Sequence, residues 1–570
     1  MKSSQVLMKI DRIWSINNKM KLLTTTCDIK GQPAYNNGII TTPPSIYQPD
    51  TRGAGYEIFK NLKKHHEKKF AIDGFTGEEN TFGTALQKSI RVAMRMREHG
   101  VKPNDLILIC APNTIDSCIP IFASLYVGAK ITCFDHEMHV NEAVILMNQI
   151  DPVMMFVSLE SVEFIQNVMK QSNKTATLVV FGQSNPKYLN YFDMLQPCID
   201  EESFLPMEVE GTQTAFIFFS SGTSGMPKGV CLSHSSYMAQ CIVQQDINEP
   251  YETILMFSSL YWSTNAFYWL YSIMKGYCRI CMSFSEDLQF IWRAIETYKP
   301  GFMFITPYRM RQLCNVKPSD VNLDNLKKIY VGGGPMFNSE LKKYREMFSN
   351  TIVVSGYGMT EIGLICYFPS STEEDLKFIN EKPTSIGRVL NGVTYKVVDV
   401  DTEQTLGPNQ KGELRVKSDG LLSEYYKLGS IDAFDEEGWF KTGDMVYFDE
   451  DFYFYYVERI KELIKYRGWH VPPKMIENVL MSREDVSAAC VIGIPDEADD
   501  EHPMAIVILS NTSKPSDNIE KEMCRYVEDA LGKSFTLKGG VKIVTEIPFT
   551  PTGKFDLRKL RNDIINAKKL

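Results

Sequence analysis

The 570-residue chain has no run of about 18 uncharged apolar residues, the length a helix needs to cross a bilayer. The nearest candidate, Ser117 to Ala129, contains Pro120 and Gly128, ends at Lys130 and reads as a buried helix. The first residues lack the apolar segment of a secretory leader, because Lys2, Lys9, Asp11 and Arg12 interrupt it. Nor is there a disulfide framework: the 13 cysteines are scattered and odd in number, which suits a reducing compartment. Cys278 and Cys281 have CxxC spacing, but no second Cys/His pair lies near them, so they read as strand cysteines rather than a metal or redox site. Basic charge is not in excess. The net charge of -9 at pH 7 argues against nucleic acid or an anionic membrane as the main partner. Internal repeats and low-complexity stretches are lacking too.

What is present begins with size. The length predicts two or more domains, and 44% hydrophobic residues supply a large core. Strand-like and helix-like segments alternate from Asp105 to Ser355, the pattern of a parallel, doubly wound sheet. Among them are strands at 105–110, 131–134, 302–305, 327–331 and 352–355, and helices at 84–99, 115–128 and 288–298. A further helix is predicted at 61–69. Near residue 385 the segments become short and β-rich, as in an antiparallel barrel or distorted sheet. A charged run, Val457 to Glu462, then precedes a small α+β unit of about 110 residues. The expected fold is α/β: a large N-terminal domain of doubly wound sheets with a β-rich subdomain, and a small mobile α+β C-terminal domain. The expected division is an irregular extension at 1–40, a main domain at 41–457, a hinge at 458–462 and the last domain at 463–570.

One stretch organises the chain: Ser220-Ser221-Gly222-Thr223-Ser224-Gly225-Met226-Pro227-Lys228-Gly229-Val230. It follows the apolar run Thr214 to Phe219, read as a buried strand, and precedes Ser233 to Gln245, read as a helix. Glycines allow close backbone approach, hydroxyls and free N–H groups can donate to phosphate oxygens, and Lys228 adds positive charge. A Walker A loop needs Gly-Lys-Ser/Thr where this chain has Pro227-Lys228-Gly229, so a P-loop NTPase or kinase is a poor reading. The stretch resembles the signature of the acyl-adenylate-forming enzymes: acyl-CoA synthetases, 4-coumarate–CoA ligases, beetle luciferases and peptide-synthetase adenylation domains. Every position of the family's pattern is met.

Other segments resemble the same family in the same order, from about Asp105 to Leu560. Gly332-Gly333-Gly334-Pro335 follows a strand and leaves an open backbone edge; the resemblance makes it the adenine-side loop, with Gly332 in the acyl-pocket wall. In Tyr357-Gly358-Met359-Thr360-Glu361, an aromatic ring can stack on adenine, a hydroxyl can bond an α-phosphate and a carboxylate can hold Mg²⁺. The family assigns those roles to Tyr357, Thr360 and Glu361. A carboxylate can take both ribose hydroxyls, a role that falls to Asp444 of Thr442-Gly443-Asp444. The run Glu458-Arg459-Ile460-Lys461 resembles the hinge, with Glu458 where Asp is usual. Arg459 would contact ribose or phosphate, Lys461 would be the pivot, Lys465 is a further cofactor contact, and Gly468 would line the pantetheine channel. Lys554 of Pro551-Thr552-Gly553-Lys554 is the principal catalytic candidate, its ammonium reaching the substrate carboxylate and the α-phosphate.

The resemblance implies two half-reactions. A carboxylic acid and ATP·Mg²⁺ give acyl-AMP and pyrophosphate; the C-terminal domain then swings about Lys461, and CoA takes the acyl group. The acyl pocket departs from the luciferase pattern. Trp262 takes the place of a His, Gln240 that of an Arg, and Ile362-Gly363-Leu364 lack the usual hydroxyls. With Trp262, Asn265, Gly332 and Leu364 as pocket residues, the expected substrate is a medium- or long-chain fatty acid. An aryl-propenoic acid or an adenylated luciferin is the alternative. The closing Lys568-Lys569-Leu570 ends as the Ser-Lys-Leu address does, giving a peroxisomal expectation with cytoplasm or mitochondrion as alternatives.

Overall fold

The computed structural model describes residues 33–182, 186–220, 227–242, 249, 251–284, 287–334, 336–370, 372–429, 431–466, 469–496, 498–510, 518–549 and 555–568. Among them, four sheets carry the fold. The first has eight strands, with Lys130–Cys133, Leu106–Cys110, Pro152–Ser158 and Thr177–Phe181 in parallel and Thr214–Ser220 joining beside Lys130–Cys133. The second has seven, in the order Ile352–Ser355, Lys328–Val331, Phe302–Ile305, Thr253–Met256, Cys278–Cys281, Lys69–Asp73 and Glu79–Thr81, parallel except for the last. Strands buried on both faces read as continuous apolar runs, which explains why Leu106–Cys110 and Thr214–Ser220 were legible. One core spans both parallel sheets and the helices between them.

The third sheet is nine-stranded and antiparallel and forms the β-rich part. It begins inside the extension expected to be irregular at 1–40. Ala34–Asn36 and Ile39–Thr41 form a hairpin that adds to Val393–Val398. Asn37 and Gly38 turn it with φ of 49° and 81°, the left-handed pair that Asn-Gly favours in a two-residue hairpin. The sheet also reaches past the expected boundary at 457. Tyr453–Arg459 pairs with Phe440–Phe448, with Glu458 opposite Met445 and Arg459 opposite Asp444, so both residues belong to this sheet. The chain then makes the short turn Ile460–Glu462.

Two further readings need correction. The helix placed at 61–69 is Ala54–Lys64, and Lys69–Asp73 is a strand between Cys278–Cys281 and Glu79–Thr81. Its three apolar residues follow a lysine-rich stretch that reads as the end of a helix. The signature loop does not lead straight into a helix. Lys228–Ser233 is a strand antiparallel to Thr214–Ser220, with Ser220 opposite Lys228, and the helix His234–Ile242 follows.

The fourth sheet contains Trp469–Val471, Ile464–Tyr466, Asp500–Leu509, Val486–Asp496 and Gly540–Ile543, with separate cores on its two faces. Lys474 at the start of the helix Pro473–Met481 links it to the rest: its backbone N–H donates to Glu458 Oε2 at 2.9 Å and its ammonium lies 3.4 Å from the Phe337 ring centroid. Between the two parts lies a cleft of about 260 Å³ lined by Tyr447, Tyr456, Lys474 and Asn478 among others. No helix among the described residues is long and apolar enough to cross a membrane.

Candidate active site

The motif loops leave the same end of the seven-stranded sheet. Gly332 to Gly334 follow Lys328–Val331, and Gly356 and Tyr357 follow Ile352–Ser355. Loops beyond the carboxyl ends of parallel strands are where open α/β sheets bind ligands. Gly333 sits at φ 84°, conformationally a glycine position, and a side chain there would meet only the Thr306 methyl, 3.8 Å away. Gly358 is glycine for a different reason: a Cβ would lie 2.4 Å from the Gly363 carbonyl oxygen across the strand pair Tyr357–Met359 and Gly363–Tyr367. Leu364 is half-buried against the main core.

Two polar groups of residues converge there. In the first, the Tyr357 hydroxyl donates to Asp444 Oδ2 at 2.6 Å, and Arg459 Nε lies 3.0 Å from Asp444 Oδ1. Asp444 is buried within Phe440–Phe448, beside Gly443 at φ 68°. Arg459 Nη1 also donates to the Thr442 carbonyl oxygen at 3.0 Å, tying the motif Thr442-Gly443-Asp444 to the end of the strand Tyr453–Arg459. Burial, then the Asp444 charge, pushes the Tyr357 hydroxyl pKa well up, so it stays protonated as a donor. Burial works against the Arg459 charge, but Asp444, Tyr357 and Tyr456 outweigh it and its pKa is raised.

In the second group, Glu361 is buried and its carboxyl pKa is raised, chiefly by burial, against its own backbone N–H, Arg459 and Tyr425. Tyr425 donates to Glu361 Oε1 at 3.2 Å, and Lys228 Nζ lies 4.9 Å from the Tyr425 ring centroid. The strand Glu424–Tyr425 pairs with Lys228–Ser233, so the β-rich part delivers this tyrosine to the signature hairpin. Ser263 donates to Thr360 Oγ1 at 3.3 Å, and the Gln240 amide holds the carbonyl oxygens of Thr360 and Gly420 at 3.3 and 2.9 Å. Ser220 Oγ donates to the Lys228 carbonyl oxygen at 3.5 Å. Nothing in the sequence singled out Tyr425 or Ser263, because each becomes relevant only through pairing distant in the chain.

Other expected residues stand apart from this cluster. The Asn265 amide is buried and donates to the Ser258 carbonyl oxygen at 2.8 Å, bracing the start of the helix Ser263–Lys275. Trp262 packs edge-on to Tyr261, ring centroids 5.4 Å apart, against the outer core of the eight-stranded sheet. Lys465 is exposed on the fourth sheet, its backbone N–H donating to Glu501 Oε2, and Lys461 is exposed on the turn Ile460–Glu462. Ser221, Gly222, Thr223, Ser224, Gly225, Pro335, Gly468 and Lys554 lie outside the described residues. Phe549 and Phe555, on either side of 550–554, pair with each other, and the Phe549 ring lies 4.8 Å from Tyr308, the second residue of the helix that follows Phe302–Ile305. The fourth sheet's unit therefore meets the loop end of the seven-stranded sheet. Glu458 is buried at this junction, its carboxyl pushed up to about 8 by burial and by the carboxylates of Glu477 and Glu462.

Comparison with known proteins agrees with this geometry. Residues 58–426 match the family model described as AMP-binding enzyme, and residues 475–554 match the AMP-binding enzyme C-terminal domain. Luciferin 4-monooxygenase of Photinus pyralis is 29% identical over 547 residues, covering 92% of this chain and 97% of that protein. The 4-coumarate–CoA ligase-like 9 protein of Arabidopsis thaliana is 28% identical over 517 residues, covering 88% of each. Among solved structures, the luciferase-like enzyme of the nonluminescent mealworm Zophobas morio superposes with a TM-score of 0.70 at 34% identity, covering 74% of this chain and 99% of that one. An amide bond synthetase of Marinactinospora thermotolerans shares the fold, with a TM-score of 0.79 at 22% identity over 90% of this chain and 99% of that one. The chain belongs to the AMP-binding enzyme family, the acyl-adenylate-forming enzymes, and carries both the large domain and the C-terminal domain of that fold.

Proposed function

We propose that the protein is an ATP-dependent acid–CoA ligase that forms an acyl-adenylate, releases pyrophosphate and passes the acyl group to CoA. The observation that carries the reading is the convergence of Lys228, Tyr425, Glu361 and Thr360 on one side and Tyr357, Asp444 and Arg459 on the other, at the loop end of a parallel sheet. ATP fits these groups in distinct ways. Asp444 accepts from ribose hydroxyls, Tyr357 stacks on adenine, and Thr360 with the signature loop receives phosphates. The reaction brings two anions together, so its chief demand is charge neutralisation and alignment. Lys554 supplies that charge to the carboxylate and α-phosphate. No general base is required, because the acid is already ionised at neutral pH. Glu361 suits Mg²⁺: it is a buried carboxylate with no ion pair among the described residues, and one such oxygen ligand beside waters and phosphate oxygens is a usual Mg²⁺ site. Such an ion would lower the charge on the pyrophosphate leaving group.

For the acid, a fatty acid ranks first. Hydroxyls are scarce on the expected acyl side, where Ile362, Gly363 and Leu364 follow Glu361, and Gln240 is committed to two carbonyl oxygens rather than free for a substrate. An aryl-propenoic acid ranks second, supported by the 4-coumarate–CoA ligase-like relatives. A luciferin monooxygenase is the rival supported by the luciferase relatives. A peroxisomal location accompanies the fatty-acid reading through the Lys568-Lys569-Leu570 ending. Pyrophosphate exchange into ATP is the test: it is to depend on added fatty acid, and Lys554→Ala is to lower it by about 10²–10³. Exchange that ignores the acid, or that is unchanged in Lys554→Ala, overturns the reading.

A further inference from the structure

On the ligase reading, with Gly332 in the wall of the acid pocket, the acid's side of the site is one face of the seven-stranded sheet. Along Lys328–Val331 and beyond, Lys328, Tyr330 and Gly332 point to that face, as do Phe302, Phe304 and Thr306 on the neighbouring strand. Ile329, Val331, Met303 and Ile305 point to the opposite core. Gly332 and Gly356 form the rim. Directly beneath them lie two rings. A Cβ on Gly356 would fall 1.9 Å from Tyr330 Cε1, so the Tyr330 ring lies against the Gly356 backbone. A Cβ on Gly332 would fall 3.2 Å from Phe304 Cε2. From the helix Ser263–Lys275 the Tyr268 ring closes the layer, 6.0 Å from Phe304 and 5.4 Å from Phe302 between centroids.

Behind this aromatic layer is a buried ion pair. Lys328 Nζ donates to Glu249 Oε1 at 2.8 Å, to the Tyr367 hydroxyl at 3.0 Å and to Ser370 Oγ at 3.2 Å, and both charged side chains are all but fully buried. The Tyr330 ring stacks on Tyr367, centroids 5.7 Å apart, and so separates the rim from the pair. An alkyl tail long enough to push Tyr330 aside would meet satisfied buried charges. It could only strip partners from them, and a buried charge without its partner is strongly unfavourable. From Gly332 to Tyr330 the strand descends only about 7 Å, two residues' rise.

Resting on the ligase reading above, we propose that Tyr330, with Phe304 and Tyr268, is the floor of the acid-binding pocket and limits the substrate to carboxylic acids whose apolar tail is short or no longer than one aromatic ring. The limit narrows the fatty-acid expectation to its short end and rejects long chains. Non-hydrolysable acyl-adenylate analogues, with a sulfamoyl group in place of the phosphate, test this by calorimetry without requiring turnover. The wild-type protein is to bind the hexanoyl analogue about tenfold or more tighter than the dodecanoyl one, a discrimination that pocket size can supply. Tyr330→Ala is to narrow that gap, because the tail can then fill the volume the ring leaves in front of the ion pair. Tyr268→Ala opens the same floor from the helix side and shifts the preference in the same direction, so the result does not hang on the folding of one variant. Equal binding of both analogues by the wild type, or a gap undiminished in both variants, overturns the length limit alone. Failure of the wild type to bind any analogue overturns the adenylate-forming reading and the limit with it.

Discussion

On the ligase reading, the nucleotide side and the acid side of this site are built in opposite ways. On the nucleotide side, polar residues from separate strands hold one another: Tyr357 to Asp444, Asp444 to Arg459, Tyr425 to Glu361. On the acid side, aromatic rings pack in a layer, and the polar groups are sealed behind it as the Lys328–Glu249 pair. The first arrangement presents charge to a ligand of fixed chemistry. The second presents shape to a ligand whose chemistry varies. The difference teaches where to look for reaction class and where for substrate choice: a change on the nucleotide side should slow every acid by the same factor, whereas a change on the acid side should reorder the acids.

The largest effect is expected at Lys554. Lys554→Ala should lower acid-dependent pyrophosphate exchange by about 10²–10³, the usual loss when one stabilising group at a developing charge is removed. The factor should be the same for every acid tested. Asp444→Ala comes next. It removes the acceptor for Tyr357 and the partner of Arg459 and should weaken ATP binding by about 1.5–3 kcal/mol, the worth of a hydrogen bond to a charged group. Titration with ATP at saturating acid measures it, and a raised KM for the acid instead would break the division between the two sides. Tyr425→Phe removes a single hydrogen bond to Glu361, with an expected cost of about 1 kcal/mol in kcat/KM, again independent of the acid.

A separate expectation concerns stability rather than the reaction: its pH dependence, at the junction. Glu458 in the folded protein is raised from 4.5 to about 8. A carboxyl raised in this way keeps a proton that the unfolded chain has released. Its stabilisation is therefore present at low pH and lost as pH climbs from about 4.5 towards about 8. Glu458→Gln should flatten the fall in melting temperature across that window. An unchanged slope would show that Glu458 is ionised in the fold.

That Tyr357, Glu361, Asp444 and Arg459 lie together was legible in the sequence, for a physical reason. Phosphates and ribose demand glycines, hydroxyls and carboxylates at close spacing in the chain, as in Ser220 to Lys228 and Tyr357 to Glu361. The acid side was not. Phe304, Tyr330 and Tyr268 read as ordinary core residues, and only the parallel register that sets Phe304 beside Tyr330 brings their rings under the glycine rim. Trp262 and Asn265, chosen by position in a motif, turned out to pack against Tyr261 and to brace a helix start. The parallel sheets were readable because their strands are continuous apolar runs. The strand Lys69–Asp73 was missed because its apolar stretch is short and follows lysines. The hairpin at Asn37-Gly38 carried a turn signal that the polar surroundings outweighed.

The most direct measurement is product analysis. The purified protein is incubated with ATP, Mg²⁺, hexanoate and CoA, and the nucleotide and thioester products are counted by mass spectrometry. The account predicts AMP and hexanoyl-CoA in equal amounts, with neither formed when CoA is replaced by a thiol-blocked analogue beyond a single enzyme-bound adenylate. AMP released without any thioester, or turnover seen only with a luciferin and oxygen, would contradict it.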